Sequence, residues 1–222
     1  MSAPHTLDDS LVTEVLEVLL QADELGAPLS VADMTDRLPG TDDGVDEVVG
    51  LLLANGDVTP AGDGVALTEA GRAQAVTRVR RHRLAERLLA DVIGLEWWKV
   101  HHEAERWEGV LSDDVDARLT DLLGDPGTCP HGNPIPGSAN QPYHPDAVRL
   151  DEVPIGPVHV IRITETIEAD DEALQLLQAC GFLPGRDAEV KERRDGWVEV
   201  AGTVHDAALP PHVAAHTYVA PR

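Results

Sequence analysis

The N-terminal third of the chain changes from a helical to a hairpin pattern of apolar residues. Apolar residues recur at helical spacing in three segments: Leu11, Val12, Val15, Leu16 and Leu19; Val31, Met34 and Leu38; Val45, Val48, Val49 and Leu52. Two short strand-like segments follow at 57–59 and 65–67, and the turn residues PAGDG separate them. Three helices and a hairpin in this order predict a winged helix-turn-helix domain over residues 1–72.

The middle of the chain is helical again. Thr68 is placed to cap a long helix, a second helix is predicted at 96–108 after the break at Gly94, and Ser112 begins a third. These helices are too few to enclose a large core, so their apolar faces are expected to meet a second copy. We therefore predict a helical domain over residues 73–145 that forms a homodimer.

The C-terminal part has the pattern of strands. Apolar segments at 158–163, 188–190 and 197–200 read as strands, the last two flanking an Asp195-Gly196 turn, and 170–180 reads as a short helix. This pattern predicts a small SH3-like β-barrel over residues 150–222. The expected fold is therefore multidomain and mainly α, with a winged helix, a helical domain and a C-terminal barrel.

The charge is strongly negative. The chain has 17 Lys and Arg against 40 Asp and Glu, a formal net charge of −23, and its only lysines are Lys99 and Lys191. Such self-repulsion destabilises a compact fold in dilute buffer, whereas at molar salt the screening length shrinks to about 3 Å. The composition is typical of a salt-adapted, haloarchaeal proteome, and an acidic protein from an ordinary cell is the alternative.

Several functional classes are disfavoured by the sequence. The first residues do not resemble a signal peptide, and no apolar stretch is long enough for a membrane span, so we expect a cytoplasmic protein with no membrane partner. Cys129 and Cys180 are expected to be free thiols. Cys129 and His131 lie two apart in a Pro/Gly-rich loop with no third residue to complete a triad. We expect neither an enzyme nor a small-molecule substrate.

Two histidine and glutamate stripes indicate metal binding. His82 and Glu86 are four residues apart, and His101, Glu105 and Glu108 form a second stripe on the next helix. Imidazole and carboxylate ligands suit Mn²⁺, Fe²⁺, Zn²⁺ or Co²⁺. The alternative is that both stripes are solvated helix faces.

A longer stretch resembles a known family. Residues 81–137 contain the segments HRLAERLL, DVIGL, VH-x-EA, RWE and GNPIPG in order. They resemble the metal-binding and dimerisation domain of the diphtheria toxin repressor and iron-dependent regulator family, whose SH3-like domain is similar to the ferrous-transport accessory (FeoA) type. The resemblance implies a dimer that binds Fe²⁺ or Mn²⁺, recognises double-stranded operator DNA and represses genes of metal uptake.

The resemblance also implies an ancillary metal site. Its histidine, glutamate and histidine fall on His82, Glu86 and His101. The SH3-like domain of the family adds a ligand, and the best-matched position is Asp170, with Glu172 close by.

The primary site of the family is less well matched. Its helix-borne ligands fall on Glu105 and Glu108, but Gly109 stands where the family has histidine. The first-helix ligand falls near Ser10. His102 or Asp9 is the candidate replacement for the missing donor.

The first domain carries few cations for a DNA-binding domain. Residues 1–69 contain one arginine, Arg37, among 15 Asp and Glu residues. The expected recognition helix would present Asp42, Asp43, Asp46 and Glu47, which repel phosphate. We assign no DNA-binding residue. One hypothesis is a metal-dependent regulator that binds operator DNA as a dimer; the alternative is a metal sensor with a degenerate DNA-reading helix that acts through protein association.

Overall fold

A computed structural model describes residues 9–24, 28–38 and 44–222, with the side chains of Asp9, Ser10 and Glu24 outside the description. The described chain divides into two compact units, one of residues 1–82 and 105–111 and the other of residues 83–104 and 112–222. This division does not test the three-domain boundaries expected from the sequence, which remain a prediction.

The first unit contains the predicted helices and hairpin. Its elements are α1 (Asp9–Glu24), α2 (Val31–Arg37), α3 (Val45–Asn55), β1 (Val58–Ala61) and β2 (Gly64–Leu67). The two strands pair in antiparallel fashion, and Leu16, Met34 and Leu52 are fully enclosed in the core of this unit. Ser30 begins α2 with a capping box, because its hydroxyl accepts from the Asp33 amide at 3.1 Å.

Part of the expected recognition helix is described. Asp46 and Glu47 in the first turn of α3 are exposed, whereas Asp42 and Asp43 lie outside the described residues. The described turn therefore presents carboxylates to solvent.

The helices of the middle segment also follow the pattern. They are α4 (Glu69–Arg87), a π-helical segment (Leu88–Ile93), a 3-10 turn (Trp97–Lys99), α5 (Val100–Glu108) and α6 (Asp113–Leu123). Thr68 caps α4 by accepting from the Gly71 amide at 3.1 Å, and Ser112 caps α6. Gly94 ends the π-helical segment with φ +77°, a conformation that favours glycine.

The C-terminal part of the second unit is built on an antiparallel sheet. Its strands are β3 (Val148–Arg149), β4 (Gly156–Ile163), β5 (Asp187–Arg194), β6 (Trp197–Ala201), β7 (Asp206–Leu209) and β8 (Thr217–Pro221). In the described chain their order is β3-β8-β4-β5-β6-β7. Three short helices accompany them: α7 (Glu165–Glu168), α8 (Asp171–Cys180) and α9 (Pro211–Ala215). Val160, Leu177 and Phe182 lie in the core.

The expected fold class is confirmed, and the pattern missed only short elements such as α7. Cys129 and Cys180 are buried free thiols, as expected. In the part of the chain that the structure describes, the helices fall short of the length and apolar character that a membrane crossing requires.

Two helical glycines give a matched test of packing in the first unit. A Cβ at Gly71 would lie 1.8 Å from the Asp57 carbonyl oxygen, whereas a Cβ at Gly50 meets nothing within 4 Å. We expect Gly71→Ala to destabilise the protein by about 1–3 kcal/mol through overpacking. Gly50→Ala should be neutral or stabilising by up to about 1 kcal/mol. Thermal and urea unfolding followed by circular dichroism measure both; equal midpoints would contradict the packing of α4 on this segment.

Candidate metal centre

The second unit buries two carboxylates and two imidazoles side by side. Glu86, Glu168, His101 and His131 are each at most 5% exposed. They come from four segments: α4, α7, α5 and the loop after α6. Buried carboxylates are found where an opposite charge or a metal ion compensates for lost hydration.

A tight loop at residues 128–134, after α6, presents His131 and Cys129. The Cys129 amide donates to the Asn133 carbonyl at 2.8 Å and closes the loop. Gly132 has φ +89°, and a Cβ there would lie 2.2 Å from a main-chain oxygen of β4, so a larger residue does not fit. Cys129, His131 and Asn133 are fully buried.

Asn133 links this loop to α7. Its side-chain amide donates to Glu168 Oε1 at 2.6 Å and to the Ile163 carbonyl at 2.8 Å. The Ile163 amide in turn donates to the His131 carbonyl at 2.8 Å. These bonds hold the Glu168 carboxylate beside the His131 ring and orient it.

Two arginines on α4 flank Glu86 and hold the other segments. Arg83 donates to the carbonyl of the last loop residue and to the carboxylate of Glu165 at the start of α7. Arg87 donates to the carbonyls of the first two loop residues at 2.6 and 3.1 Å. The helix that carries Glu86 is therefore tied directly to the two segments that carry His131 and Glu168.

The donor atoms lie at distances that suit a shared cation. His131 Nδ1 is 3.1 Å from Glu86 Oε1 and 3.3 Å from Glu168 Oε2. His101 Nδ1 is 3.0 Å from Glu168 Oε2 and 3.6 Å from Glu86 Oε1. One ligand atom from each of Glu86, Cys129, His131 and Glu168 lies within 4.8 Å of the others. Ligands of one zinc-like ion are about 3–4 Å apart, so these residues fit a divalent cation.

The electrostatics of the cluster favour a positive charge at its centre. Burial lowers the pKa of His131, but the carboxylates of Glu168 and Glu86 together raise it further, to about 10. Burial, together with the same carboxylates, raises the pKa of the Cys129 thiol well above its usual range. Within the described structure both ring nitrogens of His131 are buried without a well-oriented hydrogen bond. An imidazolium proton or a metal ion meets the same requirement for charge.

Two of the three predicted ancillary ligands, Glu86 and His101, lie in this cluster. His82 lies one turn before Glu86 on α4 and is buried. In the first unit its Nδ1 is 2.7 Å from Glu108 Oε2. The part of His82 in metal binding remains a prediction.

The predicted primary site also remains untested. Glu108 is buried against His82, and Glu105 is half-buried on the same helix, α5. His102 Nε2 lies 3.2 Å from Asp171 Oδ1. The side chains of Asp9 and Ser10 lie outside the described residues.

The structure places a different C-terminal carboxylate in the cluster from the one expected. Asp170 accepts from the Ala173 amide at 3.0 Å as the cap of α8, and its other oxygen lies 3.2 Å from His212 Nε2. Glu172 is exposed. The cluster contains Glu168 because the short helix α7 carries its side chain towards the loop before α8 begins, and the assignment of Asp170 as a metal ligand stays a prediction.

Sequence reasoning missed Glu168, His131 and Cys129 as candidate donors. The Cys-x-His spacing at 129–131 is a local signal, but by itself it supplies only two donors. A metal interpretation also needs nearby carboxylates, and with 40 Asp and Glu in the chain only the tertiary structure identifies which two approach the loop.

The part of the chain that carries most of this cluster matches a known protein family. Residues 68–137 match the family model described as "Iron dependent repressor, metal binding and dimerisation domain". That stretch contains Glu86, His101 and His131.

Curated relatives match almost the whole chain. The iron-dependent repressor of Mycobacterium tuberculosis is 39% identical over 212 residues, which cover 90% of this chain and 92% of the relative. The diphtheria toxin repressor of Corynebacterium diphtheriae is 34% identical, with 91% of this chain and 92% of the relative covered. These relatives are repressors, which are not enzymes, in agreement with the expectation from the sequence.

A solved structure is also similar to almost the whole chain. A manganese-dependent transcriptional repressor in complex with manganese is 30% identical to this chain, with a TM-score of 0.76, and the match covers 95% of this chain and all of that one. The buried cluster, the matched domain and the extent of these similarities show that the chain belongs to the iron-dependent repressor family of metal-dependent transcriptional repressors.

Proposed function

We propose that this protein regulates transcription in response to Mn²⁺ or Fe²⁺ in the cytoplasm, and that Glu86, Glu168, His101 and His131 hold the ion. The observation that carries the proposal is the convergence of two buried carboxylates and two buried imidazoles from four segments. Relatives are named iron-dependent and manganese-dependent repressors. Oxygen and imidazole donors suit both of these ions.

A bound ion would supply two positive charges between the carboxylates. Glu86 and Glu168 would bind it, the two imidazoles would complete the donor set, and Asn133 would keep the Glu168 carboxylate oriented. The Cys129 thiol lies close enough to join, but its raised pKa disfavours the thiolate, which softer ions require. The ion would thereby fix α4, α5, α7 and the loop at 128–134 in one arrangement.

The second unit also exposes large apolar side chains on two helical segments, and we infer that a second copy of the chain covers them. Val92 and Ile93 in the π-helical segment and Leu122 on α6 are each more than half exposed, and Val115 on α6 is exposed as well. Large apolar residues that are left exposed together mark interaction surfaces. The family model that covers α4, α5 and α6 is a dimerisation domain, which supports a homodimer through this surface.

Operator DNA is the proposed partner of the first unit, since the relatives are transcriptional repressors. One observation favours the alternative of a metal sensor that acts through protein association. Asp46 and Glu47 are exposed at the start of α3, and carboxylates repel phosphate and, among base edges, pair well mainly with the amino group of cytosine.

The assignment of Glu168 is tested against that of Asp170. We expect Glu168→Gln to weaken Mn²⁺ binding by at least tenfold, because it removes a charged ligand while keeping the side-chain shape. Asp170→Asn should bind as the wild type does, since asparagine caps α8 equally well. Competition with a chromophoric chelator measures both affinities. Weaker binding by Asp170→Asn alone would restore the original assignment.

Metal binding should be linked to proton release. In the metal-free protein the pKa of His131 is raised to about 10, so the ring is protonated at neutral pH and must lose that proton to coordinate an ion. Mn²⁺ affinity should therefore rise between pH 6 and 8.5, by roughly tenfold per pH unit for one proton. Calorimetry in buffers of different ionisation enthalpy counts the protons. A His131→Gln variant that releases as many protons as the wild type would contradict this role of His131.

The dimer surface is tested together with DNA binding. Leu122→Glu should shift the metal-loaded protein towards monomer in sedimentation velocity, because it places a charge in the apolar surface. Val204→Glu changes an equally exposed residue of the same unit and serves as the control.

Random-sequence duplexes selected with and without Mn²⁺, at low and molar KCl, give the DNA probe. Palindromic sequences enriched only with Mn²⁺, and lost with Leu122→Glu, support the regulator; metal-dependent dimers without any enrichment support the alternative.

A further inference from the structure

The loop at residues 128–134 also borders a cavity. Its residues Thr128, Gly132 and Pro134 line a space of about 260 Å³ in the second unit. The intervening Cys129 and His131 are buried in the metal cluster. One loop therefore has donor residues on one side and cavity-lining residues on the other.

The floor of the cavity is an irregular part of the sheet. The pairing of β4 with β8 shifts between Val160 and Arg162, and the intervening Ile161 lines the cavity beside Arg162. Arg162 pairs in register with Tyr218, and its guanidinium carbon lies 4.8 Å from the centroid of the Tyr218 ring. The ring and the guanidinium are stacked as a cation–π pair.

Arg162 differs in its partners from Arg83 and Arg149 of the same acidic unit. Arg83 pairs with Glu165, and Arg149 pairs with Asp151. Among the described residues no carboxylate is paired with Arg162, whose described contact is the Tyr218 ring. His144 lines the same cavity. In a chain of net charge −23, this leaves a guanidinium with hydrogen-bond donors available to an anion.

We propose that this cavity binds a small organic carboxylate with a flat apolar body. The carboxylate would receive two parallel hydrogen bonds from the Arg162 guanidinium, the geometry that this planar group favours. The body would lie against Tyr218, Ile161 and Pro142, which make the walls mainly apolar. At about 30 Å³ for each water-sized group, the cavity has room for roughly nine non-hydrogen atoms.

Occupancy of the cavity is coupled to metal affinity through the shared loop, an extension that rests on the proposed function. A ligand packed against Thr128 and Gly132 holds the loop in the conformation that presents His131 to Glu86. Metal affinity then rises, and a bound metal raises the affinity for the carboxylate by the same factor.

Benzoate, with nine non-hydrogen atoms, is the probe for the cavity. Calorimetry on the full metal-free chain should give saturable one-to-one binding, and benzyl alcohol and inorganic phosphate should not bind. Arg162→Gln should weaken benzoate binding at least tenfold, and Arg162→Lys, which keeps the charge but not the planar donor pair, less than that. Arg194→Gln removes the same charge from an exposed arginine of the same unit and should have no effect.

Several results would overturn the site. These are the absence of saturable benzoate binding, equal binding by Arg162→Gln and the wild type, or binding of phosphate in place of benzoate. Nuclear magnetic resonance shifts of Tyr218 and His144 on titration locate the bound probe, and shifts confined to other residues would also refute it.

The coupling is measured as the Mn²⁺ affinity with and without saturating benzoate. We expect an increase of at least fivefold in the wild type and none in Arg162→Gln, which also controls for chelation of free Mn²⁺ by benzoate. An unchanged Mn²⁺ affinity on benzoate saturation would overturn the coupling alone. Failure of Mn²⁺ to bind under any condition would overturn the proposed function, while benzoate binding to the metal-free chain would still decide the carboxylate site.

Discussion

The arrangement of the second unit depends on two carboxylates that are buried against the same imidazole. Glu86 and Glu168 both lie within 3.3 Å of His131 Nδ1, and neither side chain has meaningful access to water. Two such anions require a compensating positive charge, which either a proton on His131 or a divalent cation supplies. In the metal-free protein this need for positive charge raises the pKa of His131. A divalent ion bound there would satisfy it with twice the charge and would displace the proton.

The surrounding hydrogen bonds support this arrangement. Arg83 and Arg87 tie α4 to both ends of the 128–134 loop, and Asn133 ties the loop to Glu168. Groups that bind the donors from behind fix their orientation and are part of a metal site's energetics. Because the donors come from segments up to 82 residues apart, as Glu86 and Glu168 show, a cation bound between them would act as a cross-link of the tertiary structure.

The two sides of the 128–134 loop also differ in the charge of their surroundings. One side lines a cluster rich in carboxylates, and the other lines a cavity with the guanidinium of Arg162 at its floor. In a chain with more than two carboxylates for each cation, the described partner of Arg162 is the ring of Tyr218 and not an acidic side chain. The first turn of α3, by contrast, carries carboxylates, which disfavour electrostatic attraction to DNA.

The sequence by itself determined the helices of the first unit, α4 to α6 and the longer strands, because their apolar periodicity and caps, such as Thr68 and Ser112, are local signals. It also identified Glu86 and His101, since those donors lie on recognisable helical stripes. Only the tertiary structure placed Glu168 in the buried cluster and brought His131 and Cys129 beside it. The physical reason is that α7 is a single turn with no periodic pattern, and that the position of the 128–134 loop depends on Gly132 fitting against β4, a contact made across 29 residues of chain.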